Sequence, residues 1–336
     1  VRKGVELVNR ICIPLLILMF GVMVFKASQL EGASVGLDAL FAPNWEKMTD
    51  PKVWLAAFSH VFFSMSIGFG IMVTYASYLN RNANLTGSGL VVGFANSSFE
   101  ILAGVGIFSV LGFMATATNV PVQEVAKGGP GLAFVAFPKI ISTMGDSGTL
   151  IGVLFFGSLF AAGLTSMASI VQVPISAVKD KFGWSHKKAV TVVGGVSALI
   201  SVFLFSTKTT ITFVDIVDNF ANNIGIVLGA ILSIIWVTWF NRPVAEKLVA
   251  HINAISSFKV GKIWLFMLTI VTPSALITAL VLTLKELLTK GYGEYDVLTQ
   301  VIFGWGTVAF FALVALVFTL AKGHASHHEH KTGINK

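Results

Sequence analysis

Eight stretches of the chain are apolar for long enough that a helix through each would cross a bilayer, which takes about 20 residues. They run roughly over Val8–Leu30, Val53–Tyr78, Gly89–Ala115, Thr149–Val178, Ala189–Ser206, Thr212–Phe240, Ile263–Leu288 and Thr299–Ala321. Only 12% of the 336 residues are charged, against about 25% in soluble domains, so the chain reads as an integral membrane protein. Hydrocarbon offers no partner to a backbone N–H or C=O, which leaves helices or a closed barrel as spanning structures. Barrel strands would alternate over ~10 residues. The uninterrupted stretches here predict an all-α polytopic fold of about eight transmembrane helices.

Charge orients the spans. With the N-terminus in the cytoplasm, 15 of the 23 Lys and Arg fall in inner segments, including all four arginines, Arg2, Arg10, Arg81 and Arg242. This bias predicts both termini cytoplasmic in a multi-pass cell (inner) membrane protein. It also accounts for the net charge of +7 through lipid-facing loops, without a nucleic-acid partner. The single cysteine, Cys12, excludes an internal disulfide and a CxxC metal site. One transmembrane domain over 1–322 is expected, with outer loops at 31–52 and 116–148 and a His-rich cytoplasmic tail at 323–336. The chain opens at Val1, a few residues before its first span, which fits a fragment or a shortened gene product.

The Val53–Tyr78 stretch carries Ser64-Met65-Ser66-Ile67-Gly68-Phe69-Gly70 at its middle. Each Gly in a helix costs roughly 1 kcal/mol against Ala. Two readings fit. One is a helix broken at mid-depth, tolerated only inside protein or beside a wet cavity, as in transporter binding sites. The other is a kinked, continuous helix whose small residues let a neighbour approach.

Intramembrane polar residues supply the remaining candidates. Asn96 and Glu100, four apart on one helix face, combine an amide oxygen with a carboxylate, donors suited to a hard cation. They fit equally a polar pair bonded across helices. Thr165 and Ser166 stand in Ala161-Ala162-Gly163-Leu164-Thr165-Ser166, which serves either close packing or an oxygen shell around an alkali cation. His60 lies one turn before Ser64, as a polar-pocket or titrating residue. Asp215 and Asp218 open the Thr212–Phe240 span, where negative charge complements a helix N-terminus. Lys179 and Asp180 end the fourth span. No nucleophile–base pair, phosphate loop or paired catalytic carboxylate is present, so an enzyme is not expected.

Ser64 to Gly70 with Tyr75-Ala76-Ser77-Tyr78, Asn96-Ser97-Ser98-Phe99-Glu100 and Ala162-Gly163-Leu164-Thr165-Ser166 together resemble the neurotransmitter:sodium symporters, above all bacterial leucine-transporter-like amino-acid carriers. Residues 129–138 also resemble that family's outer loop helix. The resemblance implies a leucine-transporter-type inverted-repeat fold entered at helix five, with the second repeat complete and most of the first missing. It implies a sodium-coupled symporter of amino acids or related small amines working by alternating access, with Na+ as co-transported ion. Phe63, Ser64, Ser66, Phe69, Ser166 and Ile170 would line the substrate pocket. Ser64 and Asn96 would belong to one sodium site, and Ala162, Thr165 and Ser166 to another. Asp218 matches an outer gate and Asp180 an inner one, while Gly4 and Pro14 resemble a motif for unwinding the fifth helix. Glu100 stands where chloride-dependent members carry serine, which implies chloride independence. His60 replaces a customary glutamine and would form a proton-sensitive pair with Glu100. A proton-coupled permease of related fold and a non-transporting membrane fragment are the alternative readings.

Overall fold

The computed structural model describes residues 2–125, 138, 141–142, 145–206 and 210–323. Among these residues there is no strand, and seven helices are long and apolar enough to cross a membrane. The eighth expected span is absent from that set because it is broken. The chain runs through α1 (Arg2–Ala27), α2 (Ala33–Phe41), α3 (Pro51–Ser64), α4 (Ile71–Ala76) and α5 (Leu85–Thr118). It continues through α6 (Asp146–Phe182), α7 (His186–Phe205), α8 (210–240, of which Thr212–Phe240 is the spanning part), α9 (Arg242–Ile255), α10 (Lys262–Lys290) and α11 (Val297–Leu320). The expected loop helix at 129–138 and the His-rich tail lie outside the described residues, apart from Pro138 and Gly323.

The two larger apolar clusters among the described residues lie on different sets of helices. One cluster joins Phe20, Met23 and Val24 of α1 with Val110 of α5 and Ile151 and Phe155 of α6. The second joins Phe62 of α3 with Ile216, Phe220, Ile224 and Val227 of α8 and Leu276, Leu280 and Leu287 of α10. The short half α4 packs instead on α6. Two halves of one span therefore belong to two different packing units.

The break has a defined geometry. At the end of α3 the Ile67 N–H donates to the Phe62 carbonyl at 3.1 Å and the Ser66 N–H to the Phe63 carbonyl at 2.9 Å. This is the Schellman pattern that closes helices, with Ser66 in the left-handed position at φ 53°. Gly68 and Gly70 follow at φ 86° and 76°, a conformation that L side chains enter at a cost of roughly 1–2 kcal/mol. At Gly68 a Cβ would stand 3.0 Å from Ile226 Cγ2 and 3.1 Å from Ala230 Cβ, so α8 passes too close for a side chain to be accommodated freely. The alternatives left open by Ser64–Gly70 resolve to a broken helix.

Loop contacts give the molecule two consistent ends. At one end Asn84 and Thr86, before and at the start of α5, bond the α9–α10 connection. Thr86 Oγ1 donates to the Phe258 carbonyl at 2.9 Å, and the Ser257 N–H donates to Asn84 Oδ1 at 3.1 Å. Lys181 donates to the Thr319 carbonyl at 3.2 Å, placing the ends of α6 and α11 side by side. At the other end α2 lies on α5, with Gly36 and Gly112 so close that a Cβ on either would overlap the partner's backbone.

Asp215 belongs to this second end and does not act as a helix cap. The helix here begins at Thr210, and the Asp215 carboxylate accepts from Tyr292 Oη at 3.1 Å and Tyr295 Oη at 2.9 Å. Both tyrosines lie in the turn between α10 and α11. Gln300 locks that turn, accepting from the Tyr292 N–H at 2.7 Å and donating to the Tyr295 carbonyl at 2.7 Å. Burial first, then the Asp215 charge, pushes the Tyr292 phenol up to about 12. A phenol raised above its ordinary 10 stabilises the folded state fully below that value, and the contribution disappears as pH rises through about 12. Absorbance titration of phenolate should therefore show a tyrosine ionising near pH 12 that Tyr292→Phe removes. Asp215→Asn should move that transition downward without restoring the ordinary value, because burial remains. A titration of the Asn variant identical to that of the unaltered protein would show that the carboxylate does not act on this phenol.

Candidate functional site

Where α3 stops, its last residue meets the middle of α5. Asn96 Nδ2 donates to Ser64 Oγ at 3.1 Å and to Glu100 Oε1 at 3.1 Å. His60 Nε2 lies 3.5 Å from the same Glu100 oxygen. Helical spacing makes this row: His60 and Ser64 are four apart on α3, Asn96 and Glu100 four apart on α5, and the two pairs face each other. Asn96 spends its amide nitrogen on both neighbours, and its Oδ1 accepts no hydrogen bond among the described residues.

Beside this row is a cavity of about 460 Å³. Ser64, Met65, Ser66 and Phe69 of the break line it, with Asn96 of α5 and Thr165, Ser166, Ser169 and Ile170 of α6. Asn9 and Ile13 of α1 complete the wall. Carbonyls from Ser64 to Gly68 receive no backbone hydrogen bond of normal length and direction among the described residues. Carbonyl, hydroxyl and amide oxygens converging at one depth are the donor set that replaces the hydration shell of an alkali cation.

Most of the residues expected at the site come together there, and several do not. Ser64, Ser66, Phe69, Asn96, Thr165, Ser166 and Ile170 all border the cavity. Phe63 is not among its lining residues; the ring packs edge-on against Phe62 and joins the α8–α10 cluster. Ala162 contributes only a carbonyl, which accepts from Thr165 Oγ1 at 2.9 Å. Asp218 sits at the end of α8 bearing Asp215, exposed, and accepts from Asn222 Nδ2 one turn on at 2.8 Å. Asp180 is exposed at the opposite end, in the last turn of α6. Gly4 and Pro14 both lie within continuous α1.

A hydroxyl ladder between α4 and α6 escaped the sequence reading. Tyr75 Oη donates to Ser169 Oγ at 2.7 Å, and Ser169 Oγ in turn donates to the Thr165 carbonyl at 3.1 Å. Deeper along the same interface, buried Gln172 donates to Tyr78 Oη at 3.0 Å and Ser176 Oγ at 3.3 Å. The signal was available as Ser169, Gln172 and Ser176 on one helix face, opposite tyrosines three apart. These bonds fasten the short half-helix to α6 and fix where the cavity wall stands.

The model of the sodium:neurotransmitter symporter family matches residues 1–325. An uncharacterized sodium-dependent transporter of Methanocaldococcus jannaschii is 38% identical over 304 residues, covering 90% of this chain and 61% of that protein. A sodium- and chloride-dependent glycine transporter of Xenopus laevis is 31% identical, over 84% of this chain and 36% of its own length. A sodium-dependent dopamine transporter of Caenorhabditis elegans is 27% identical, over 90% of the chain and 48% of its own length. The chain thus spans between about a third and three fifths of the length of these relatives. With the family model matched along nearly the whole chain and the broken span in place, the protein belongs to the sodium:neurotransmitter symporter family.

Proposed function

We propose that this chain supplies one side of the permeation site of a sodium-coupled symporter for amino acids or related small amines. It would correspond to helices five to twelve of an inverted-repeat transporter, with both termini cytoplasmic. The contacts that sort the loops into two ends are consistent with that topology. The observation that carries the reading is the break itself, whose residues Ser64, Met65, Ser66 and Phe69 line one cavity with Asn96, Thr165 and Ser166. Sodium there would be held by Ser64 and Asn96, and a second ion by Thr165, Ser166 and the Ala162 carbonyl. Substrate would lie against Ser66, Phe69, Ser166 and Ile170. Because α3 packs on the α8–α10 cluster and α4 on α6, relative movement of the two units would open the cavity to one face or the other. Asp218 would gate the outer opening and Asp180 the inner.

Sodium dependence tests this first. In proteoliposomes of the transporter, Asn96→Ala should raise the half-saturating sodium concentration by about tenfold, equivalent to roughly 1.4 kcal/mol. Uptake with an unchanged sodium requirement would remove Asn96 from the ion site.

Chloride should be dispensable. Glu100 is a fixed anion hydrogen-bonded to the amide that also holds Ser64, so a mobile anion has no charge left to supply. Replacing chloride by gluconate should leave uptake unaltered, whereas Glu100→Ser should lose most activity until chloride is restored. If the Ser variant ignores chloride, the carboxylate is not its substitute.

His60 favours a second reading, in which protons accompany or replace sodium. Its ring is exposed and stands 3.5 Å from Glu100, so protonation would create an ion pair beside the sodium ligands. Uptake should then depend on pH. His60→Gln should flatten the profile, and an unchanged profile would discard the pair. Uptake driven by a pH gradient without sodium would establish the proton-coupled alternative.

A further inference from the structure

A second cavity, of about 590 Å³, opens between α8 and α10 at the end of the molecule where the two helices meet α9. It is lined by Trp239, Arg242, Lys262, Phe266, Thr269 and Ile270, among others. Both walls leave α-helical geometry at this level. Trp236–Phe240 of α8 and Met267–Val271 of α10 are π-helical turns, which are wider than an α-turn and recur at functional sites. Trp239 Nε1 crosses the groove to donate to the Thr269 carbonyl at 2.9 Å, holding the two turns in register.

Charge is confined to the rim. Arg242 opens α9 two residues beyond the end of α8, and Lys262 is the first residue of α10, so both sit at the ends of apolar spans. Arg242 makes an exposed contact of 3.6 Å with Glu246, the weak kind of surface pair. Lys262 has no ion pair among the described residues. The three groups leave one net positive charge. Trp239, Phe266 and Ile270 line the groove with exposed apolar surface. A soluble anion would satisfy the rim and leave this wall bare. A neutral lipid would cover the wall and leave the rim unpaired.

We infer that the groove binds one anionic phospholipid, its phosphate between Arg242 and Lys262 and an acyl chain along Trp239, Phe266 and Ile270. Basic pockets between helices on the cytoplasmic side are the usual form of such sites. The inference rests on membrane placement and the groove, and is independent of what the transporter carries. It also accounts for the π-turns, which widen the groove at the depth of the glycerol backbone and upper chain.

Native mass spectrometry of the detergent-purified transporter, titrated with phosphatidylglycerol, phosphatidylcholine or inorganic phosphate, tests it. Phosphatidylglycerol should be retained about tenfold more tightly than phosphatidylcholine, since each basic residue near a lipid surface favours anionic lipid. Arg242→Gln with Lys262→Gln should abolish that preference. Arg242→Lys with Lys262→Arg, and Lys285→Gln with Lys290→Gln near the opposite end of α10, should keep it. Should the double Gln variant not fold, the unaltered protein still decides the matter. Phosphatidylglycerol brominated along its chains should quench a tryptophan component that Trp239→Phe lacks. Equal retention of the two lipids, a double Gln variant that still prefers phosphatidylglycerol, or absence of that quenched component would overturn the site. Inorganic phosphate displacing the lipid's headgroup contact at equal affinity would show a free-anion site instead.

Discussion

Everything in this structure follows from the need to satisfy backbone groups where no water is available. Between Ser64 and Ile71 the chain gives up helical hydrogen bonds at the depth where lipid can replace none of them. The Schellman closure recovers the carbonyls of Phe62 and Phe63 but none beyond. The rest must be walled off and given polar company, and the neighbouring helices do both. On one side α8 comes close enough to Gly68 that a side chain there would press on Ile226 and Ala230. On the other, Thr165, Ser166 and Ser169 of α6 present hydroxyls, and Asn96 of α5 presents an amide. Carbonyls that a soluble protein would leave to water need, in a membrane, polar surroundings that lipid cannot supply.

Ser66 shows the backbone cost of the break. The left-handed position at the end of a helix is usually glycine, and any other residue there costs roughly 1–2 kcal/mol. Ser66 occupies it at φ 53° while lining the cavity, so a hydroxyl-bearing residue stands there at a backbone cost. Packing around the break shows the same pattern. α8 is π-helical over Ala221–Ile226, the turn that meets Gly68, and α11 is π-helical over Gln300–Trp305, next to the Asp215 clamp. Each wide turn lies where a neighbour must pass closely or a polar side chain must reach across.

Local chemistry made part of this readable from the amino acids. Two serines and two glycines in a span left a break and a kinked helix open. The four-residue spacings put His60 with Ser64 and Asn96 with Glu100 on one face each, while only the family resemblance joined the two pairs. What stayed hidden depends on rotation or on distant partners. Phe63 is adjacent to Ser64, yet one residue is about 100° of helix, enough to turn its ring from the cavity into the α8–α10 cluster. Asp215 looked like a helix-end charge because its partners, Tyr292 and Tyr295, come from a turn almost eighty positions later. The count of spans shows the opposite limit: hydropathy over Val53–Tyr78 is that of a spanning helix, and averaging over such a window cannot register six residues of broken backbone within it.

The two polar regions of the chain use charge in contrasting ways. Around Asp215 the phenols answer a carboxylate with neutral donors outside the spans, and burial with the Asp215 charge holds the Tyr292 phenol protonated well above its ordinary range. Around Glu100 the partners are an amide and an imidazole at the middle of a span, where a charge is costly and is retained when it has work to do. Asn96 links the carboxylate to Ser64 and His60 touches it directly, so Glu100 meets the broken helix through two side chains. An amide can serve both sides at once, its nitrogen bound to the anion and the hydroxyl, its oxygen open to a cation. Neither aspartate nor leucine at position 96 could do so: one would repel Glu100, and the other would leave Ser64 and the carboxylate without their shared donor.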